Sequence, residues 1–173
     1  MDVCGIVLAA GAGTRFGRPK VLVAGWLDAA CSTLLAAGCT RVVVVLGAAP
    51  DAALPDDPRV SSVVAQDWSA GMSHSLRAGL AAVTEPAALI TLVDLPGLPA
   101  SVASRVLAAD GPLRQAVFDG RPGHPVYVAM PRPALLDGLV GDHGARQYLI
   151  ANGVTEVECG DLWSGLDVDE REP

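Results

Sequence analysis

The sequence predicts an α/β fold, with a single Rossmann-like domain whose mostly parallel sheet carries helices on both faces. Segments typical of buried strands alternate with segments of helical spacing through the first two-thirds of the chain, and this alternation favours parallel strands joined by helices. The strand segments are continuously apolar, as in 42–46, which indicates burial on both faces. Residues 1–173 contain no internal repeat or low-complexity linker, so we expect one domain.

Each predicted element has its own signal. Short apolar runs, rich in β-branched residues and bounded by turn residues, predict strands. Apolar residues recurring every three or four positions, followed by a glycine or a proline, predict helices. The predicted strands are 3–8, 42–46, 60–65, 88–93, 113–119, 125–129 and 154–159. The predicted helices are 27–37, 66–83, 101–109, 133–139 and 145–152, and the turn-rich segment 120–124 is expected to join the fifth and sixth strands.

Composition narrows the class of protein. The net charge is −7, from 12 basic and 19 acidic residues, and an acidic chain without a basic tract is a poor nucleic-acid binder. No uncharged apolar run approaches the ~20 residues that span a bilayer, so no membrane association is expected. Four cysteines without C-x-x-C spacing are typical of a reduced, cytoplasmic protein. These are Cys4, Cys31, Cys39 and Cys159.

The segment 8–20 (LAAGAGTRFGRPK), here called the glycine loop, contains the main group of residues suited to binding a ligand. It follows the first predicted strand and holds three glycines, at positions 11, 13 and 17. Glycines let a backbone turn sharply and approach a ligand, so that N–H groups can point at phosphate oxygens. Arg15 and Lys20 add positive charge for the same oxygens. The loop therefore predicts a polyphosphate site, although a tight turn with solvated charges would use the same residue types.

Two other phosphate loops fit less well. A Walker A loop needs Ser or Thr after its lysine, whereas Val21 follows Lys20. A dinucleotide fingerprint would have its third glycine at position 16, where Phe16 stands. The looser Gly11-x-Gly13-x-x-x-Gly17 spacing survives, but the second predicted strand ends in Leu46-Gly47, without the acidic residue that holds a ribose.

The glycine loop resembles the signature of nucleotidyltransferases that activate a phosphorylated acceptor with a nucleoside triphosphate. Its form is most similar to the molybdenum cofactor cytidylyltransferases, because the related guanylyltransferases typically have glycine in place of Ala10 and an acidic residue in place of Pro19. The resemblance implies the nucleotide-diphospho-sugar transferase type of fold. It also implies CTP as donor, with Lys20, Arg15 and Asp94 as catalytic residues.

The segment 67–76 (DWSAGMSHSL) resembles the second motif of that family, which contacts the base. It also has the composition of a helix start, in which Ser69 or Ser73 caps the helix and Met72 faces the core. The two interpretations are compatible. The resemblance as a whole implies nucleotide binding by Leu8, Ala9, Ala10, Gly11, Gly13, Thr14, Arg15, Lys20, Gln66, Gly71, Met72, Ser73 and Asp94.

A magnesium site is predicted near Asp94, which directly follows a buried strand. An aspartate there is often a turn residue, but opposite a phosphate loop it suits Mg²⁺, which takes one or two carboxylates plus phosphate oxygens. The family has an Asp-x-Asp near its end, here Asp167 and Asp169, and the resemblance implies Asp169 as the second ligand. The chain departs from the family after it, where EREP replaces the usual Thr-Pro-Glu-Asp.

The segments 120–125 (GRPGHP) and 141–146 (GDHGAR) resemble family motifs on the acceptor side. The resemblance implies Arg121, His124 and Arg146 as acceptor-binding residues. The segment between Lys20 and the first helix is shorter than in the family and lacks its Pro-Leu, which bears on the identity of the acceptor.

The function implied is transfer of CMP from CTP to the phosphate of a molybdopterin-type cofactor, with release of pyrophosphate and possible delivery to a molybdoenzyme. Such chemistry depends on positioning and charge neutralisation more than on a general base. Two alternatives remain open: a nucleotidyltransferase for another phosphate acceptor, and a non-catalytic cofactor-insertion chaperone on the same fold.

Overall fold

The computed structural model of the protein describes residues 1–130, 137–139 and 145–168. Its strands are β1 (Val3–Leu8), β2 (Arg41–Leu46), β3 (Val60–Val64), β4 (Ala87–Leu92), β5 (Leu113–Phe118), β6 (Arg121–Ala129) and β7 (Thr155–Glu158). Its helices are α1 (Trp26–Ala37), α2 (Met72–Ala81), α3 (Ala100–Ala108) and α4 (Arg146–Ala151). Within the described residues, no helix combines the length and the apolar character that crossing a bilayer requires.

The seven strands form one sheet in the order β3-β2-β1-β4-β6-β5-β7. All pairs are parallel except those made by β6, which runs antiparallel to β4 and β5. The predicted mostly parallel sheet is therefore confirmed. The chain builds outward from β1 in one direction through β2, and then returns to place β4 on the other side. In such sheets ligands bind where the strand order reverses, beyond the carboxyl ends of the strands, and here that point lies between β1 and β4.

Helices cover both faces of the sheet, as predicted. Helices α1 and α3 pack against one set of alternating strand residues, which includes Val7, Val44 and Leu89. Helices α2 and α4 pack against the other set, which includes Ile6 and Ile90. Because successive side chains of a strand point to opposite faces, one apolar strand supplies both cores, which explains the continuous apolar runs in the sequence.

The four cysteines are free and buried. Burial raises the pKa of the Cys31 and Cys39 thiols to about 12 and that of Cys4 to about 11. A thiol with so high a pKa stays protonated at neutral pH and is a poor nucleophile. The cysteines therefore serve as small core residues, as the sequence predicts.

The predicted turn at 120–124 is wrong. Strand β6 begins at Arg121, and the connection from β5 is a two-residue hairpin at Asp119 and Gly120. Both residues have positive φ, 51° and 74°, as a tight turn of the type favoured by Asp-Gly requires. The sequence predicts a turn at Pro122, but this residue lies in the strand beside a register irregularity of β5, where a ladder tolerates a missing N–H.

The predicted helix 66–83 is shorter than expected. Residues Trp68–Ala70 form a single 3-10 turn, and α2 begins only at Met72 and ends at Ala81. The predicted serine cap is also wrong, because Gly71 (φ 129°, ψ 166°) occupies the N-cap position of α2 and no side chain caps it. The predicted helix 133–139 lies mostly outside the described residues.

Close packing of α2 on the sheet depends on Gly79. A Cβ added there would lie 2.9 Å from Val45 Cγ2 and 3.0 Å from Ile6 Cγ2. We expect Gly79→Val to lower the free energy of unfolding by about 1–3 kcal/mol through overpacking, measured by urea denaturation. Ala81→Val, on the exposed side of α2, is the matched control and should cost less than about 0.7 kcal/mol. Equal losses in both variants would contradict the packing argument.

Candidate active site

A cleft of about 390 Å³ opens at the carboxyl ends of β1 and β4. Here it is called the main cleft. Leu8 and Leu92, the last residues of these two strands, are paired neighbours in the sheet. The residues that follow them, the glycine loop and the segment reaching Asp94, therefore meet at one edge. The start of α2 and the preceding 3-10 turn form the opposite wall.

The glycine loop owes its shape to Gly13 and to Phe16. Gly13 has φ +62°, and a Cβ there would lie 1.9 Å from the carbonyl oxygen of Arg18. The N–H of Gly17 donates to the carbonyl of Gly13 at 2.8 Å, which closes the turn. Phe16 is buried and packs on Trp26 with 5.4 Å between ring centroids, so the loop is anchored to the start of α1. Arg15, between these anchors, is exposed and lines the main cleft.

An ion pair lies at the floor of the main cleft. Lys20 Nζ donates to Asp94 Oδ2 at 2.8 Å, and the two side chains are only 14% and 16% exposed. The other carboxylate oxygen, Asp94 Oδ1, is buried and has no hydrogen-bond partner among the described residues. A buried carboxylate oxygen is costly to leave unpaired, so Asp94 retains the capacity to bind a further cation.

These residues fit a divalent metal ion held mainly by its nucleotide. Asp94 offers one buried oxygen, while no group of three or more His, Cys, Asp or Glu side chains comes together in the described part of the chain. Mg²⁺ is commonly held by one or two carboxylates plus phosphate oxygens and waters. The predicted second ligand, Asp169, lies outside the described residues. Its neighbour Val168 donates its N–H to the carbonyl oxygen of Asp94 at 3.1 Å.

Most of the residues predicted to bind nucleotide line the main cleft. These are Leu8, Ala9, Ala10, Gly11, Gly13, Thr14, Arg15, Lys20, Gly71, Met72 and Asp94. Gln66 is exposed and Ser73 is buried, and neither is among the lining residues. The cleft is also lined by residues outside the predicted binding set, namely Phe16, Trp68, Ser69, Ser75, Leu92 and Val93. Trp68 belongs to the second motif, so the resemblance of that segment to a base-contacting motif could have predicted its place in the cleft.

A second cavity of about 220 Å³ adjoins the main cleft and shares Leu8 and Met72 with it. Its walls are largely apolar, and its polar groups come from Gln115, His124 and Arg146. Two of the three residues predicted to bind an acceptor thus lie together in one cavity. The third, Arg121, lines neither cavity and donates to the carbonyl oxygens of Phe118 and Ser164.

The imidazole of His124 is neutral at physiological pH. Burial lowers its pKa from 6.5 to about 4, and the Asp167 carboxylate only partly opposes this shift. A neutral imidazole can donate one hydrogen bond and accept another. Among the polar groups of the second cavity, Arg146 is therefore the positive charge, while His124 and Gln115 are neutral hydrogen-bonding groups.

The glycine loop and the Lys20–Asp94 pair meet at the reversal point of the mostly parallel sheet, an arrangement suited to an enzyme that binds nucleotides. The profile of the MobA-like NTP transferase domain matches residues 5–156. The chain belongs to this family.

The chain is also similar to individual proteins whose names describe different activities. Nicotine blue oxidoreductase from Paenarthrobacter nicotinovorans is 39% identical over 190 aligned positions, which cover 98% of this chain and 93% of that protein. The structure of Rv0371c from Mycobacterium tuberculosis H37Rv has a TM-score of 0.83 and 26% identity, over 98% of this chain and 94% of that chain. Rv0371c has also been solved as a complex with manganese, at a TM-score of 0.68 and 24% identity, over 92% and 89% of the two chains.

A nucleotidyl transferase from Methanothermobacter thermautotroptrophicus has the same fold. Its TM-score is 0.76 at 20% identity, with coverage of 98% of this chain and 92% of that chain.

The loop geometry predicts that Gly13→Ala disrupts the main cleft. Both the positive φ and the collision with Arg18 oppose a side chain, and strain of about 1–3 kcal/mol corresponds to a loss of about fivefold to 150-fold in the affinity for a nucleotide that binds the loop. Gly25→Ala is the matched control, because Gly25 has φ +79° but a Cβ there would meet nothing within 4 Å. Calorimetric titration with nucleoside triphosphates should show weakened binding in Gly13→Ala alone; equal affinities in both variants would refute this role of the loop.

The lowered pKa of His124 predicts a pH dependence of stability. Between about pH 6.5 and pH 4 the imidazole of His124 is protonated in the unfolded chain but neutral in the folded protein. The free energy of unfolding should therefore fall as the pH drops through this window. His124→Gln should flatten that part of the profile, measured by urea denaturation at intervals from pH 7.5 to pH 4. Parallel profiles for the wild type and the variant would contradict burial of a neutral imidazole.

Proposed function

We propose that this protein transfers CMP from CTP to the phosphate of a molybdopterin-type cofactor and releases pyrophosphate. The observation that carries the proposal is the Lys20–Asp94 pair at the floor of a glycine-loop cleft that opens onto a second cavity. The cations and the loop N–H groups suit a triphosphate, and the second cavity offers room for an acceptor. Four buried free cysteines favour a reducing, cytoplasmic setting.

The reaction is an exchange at the α-phosphorus of CTP. An oxygen of the acceptor phosphate forms a bond to this phosphorus while the bond to the bridging oxygen of the β-phosphate breaks, and pyrophosphate leaves with that electron pair. Lys20 and Arg15 are positioned to stabilise negative charge on the phosphates. Asp94 and Asp169 would hold a divalent cation, and manganese in the relative Rv0371c supports such an ion. That ion, when bound, neutralises phosphate charge and aligns the leaving group.

The second cavity is the proposed acceptor site. Arg146 would meet the acceptor phosphate, and His124 would hydrogen-bond a neutral part of the acceptor. The guanidinium of Arg121 would have to break its hydrogen bonds to two backbone carbonyl oxygens before it could bind an acceptor. We therefore expect Arg121 to contribute less to acceptor binding than the family resemblance implies. A molybdoenzyme is the proposed recipient of the product. A sugar phosphate or another cofactor precursor remains the alternative acceptor for the same chemistry.

Oxidoreduction is a second candidate, favoured by the name of the 39% identical relative from Paenarthrobacter nicotinovorans. The Gly11-x-Gly13-x-x-x-Gly17 spacing would admit a dinucleotide. Against it, β2 ends at Leu46, and a Cβ on the following Gly47 would lie 2.6 Å from the carbonyl oxygen of Ala10. An acidic side chain that holds a ribose at the end of the second strand is therefore sterically excluded at position 47.

One set of assays separates these functions. The wild-type protein is incubated with molybdenum cofactor, Mg²⁺ and either CTP or GTP, and pyrophosphate is measured; in parallel, NADH oxidation is followed with a soluble dye acceptor. We expect pyrophosphate with CTP in preference to GTP and no NADH oxidation. Pyrophosphate only with a different phosphate acceptor would support the alternative transferase. Tight CTP binding without pyrophosphate release would support the chaperone, and NADH oxidation alone would support the oxidoreductase.

The charged pair predicts the effect of two substitutions. Lys20→Ala removes a donor aimed at the phosphates and should lower turnover by about 10²–10³. Asp94→Asn keeps the size of the side chain but loses the charge that a metal ion needs, so pyrophosphate release should fall to background at every Mg²⁺ concentration. Full activity in Asp94→Asn would remove the metal site from this account.

Arg59→Ala is the control for both variants. Arg59 is exposed and pairs only locally, with Asp57 at 2.7 Å, so its loss should leave turnover unchanged. Arg41 is equally remote from the sequence motifs but is less suitable. Its guanidinium bridges Glu85 and the carbonyl oxygen of Ala82, and its loss would disturb the packing between β2 and the end of α2.

A further inference from the structure

The indole of Trp68 lines the main cleft but has no part in the mechanism above. Trp68 begins the 3-10 turn between β3 and α2, and its side chain is half-buried. Its own N–H donates to the carbonyl of Ala65 at 3.2 Å, and the N–H of Gly71 donates to the carbonyl of Trp68 at 3.3 Å. These hydrogen bonds restrain the main chain on both sides of Trp68.

Gly47, the residue after β2, makes room for this indole. A Cβ at position 47 would lie 2.7 Å from Trp68 Cγ and 2.7 Å from the Cβ of Ala10. Contacts so short do not occur between real atoms, so only glycine allows Trp68 and Ala10 to pack together at the end of the sheet. The indole also packs against the core on the α2 face. Trp68 is at the same time one of the residues that line the main cleft.

Charge divides the main cleft into two ends. Among the described lining residues, the charged side chains are Arg15, Lys20 and Asp94, on the glycine loop and after β4. The wall formed by Trp68, Ser69, Gly71 and Met72 is uncharged. Phosphates bind at the cationic end, whereas a rigid aromatic surface in an uncharged wall binds a planar ring by stacking.

We propose that the indole of Trp68 is the surface on which the base of the bound nucleotide stacks. The inference rests on the proposed function in one respect, namely that the main cleft takes a nucleoside triphosphate. Every base has an aromatic face, so stacking adds affinity for any nucleobase. The selection of one base over another belongs to groups that reach its edge.

The test compares CTP with inorganic triphosphate, which has the charge but no base. Both are titrated calorimetrically, with Mg²⁺, into the wild type, Trp68→Leu and Trp163→Leu. Trp163 is the matched control, because it packs edge-on against Phe118 at 5.4 Å and does not line the main cleft. Trp68→Leu should bind CTP about tenfold more weakly or worse and inorganic triphosphate as the wild type does. Trp163→Leu should bind both normally.

Equal CTP affinity in Trp68→Leu and wild type would overturn the proposal, as would equal losses for CTP and inorganic triphosphate. Trp68→Phe provides a second test that preserves an aromatic ring and the fold. It should bind CTP within about threefold of the wild type but lose the quenching of tryptophan fluorescence that CTP causes; quenching that persists would contradict stacking on Trp68. A wild-type protein with this Trp68 dependence but no pyrophosphate release would refute the proposed function and leave the stacking inference intact.

Discussion

An ion pair joins the two halves of the main cleft, since Lys20 Nζ lies 2.8 Å from Asp94 Oδ2 although 74 residues separate them in sequence. The pairing is possible because β1 and β4 are parallel neighbours that end at the same level, with Leu8 opposite Leu92. It fixes the end of the glycine loop against the end of β4. Each charge is largely removed from water, and each is compensated by the other.

Under the proposed function, the pair also accounts for how the site would accommodate a highly charged ligand. A triphosphate brings negative charge that Lys20 can meet, and a metal ion brings positive charge that Asp94 can meet, so ligand and metal together replace what the two residues give each other. Asp94 Oδ1, buried and without a partner among the described residues, marks the side from which the cation would approach. Neither ligand alone achieves this balance, and the account therefore implies that nucleotide and metal bind cooperatively.

Much of the fold was predictable because local patterns and tertiary structure agree. The apolar strand runs and the helical spacing in the first two-thirds of the chain match the observed elements from β1 to α3, except at the two ends of α2. The hairpin at Asp119 was missed because Pro122 and Gly123 resemble turn residues, and only pairing with β5 draws them into a strand. The start of α2 was misjudged because Gly71, with its unusual backbone, replaces a serine cap.

The site was predictable to the extent that its residues follow strand ends in sequence. The glycine loop and Asp94 do so, and they meet as expected. Ser73 belongs to the second motif and Gln66 directly precedes it, but Ser73 is buried, Gln66 is exposed, and neither lines the main cleft, since a motif gives residue types and not side-chain environments. Arg121 was assigned from a motif as well, and its hydrogen bonds to two carbonyls arise from the hairpin and from the segment after β7. Tertiary contacts of this kind have no local signature.

The claim that nucleotide and metal bind cooperatively is tested most directly by calorimetry on the wild-type protein. One titration adds Mg²⁺ in the absence and in the presence of saturating CTP. The matching titration adds CTP in the absence and in the presence of Mg²⁺. Linkage requires that each ligand raise the affinity for the other by the same factor. Because few carboxylates come together in the described part of the chain, we expect negligible Mg²⁺ binding alone and tight Mg²⁺ binding with CTP, with the same coupling seen in the affinity for CTP. Equal CTP affinity with Mg²⁺ and with EDTA would contradict it.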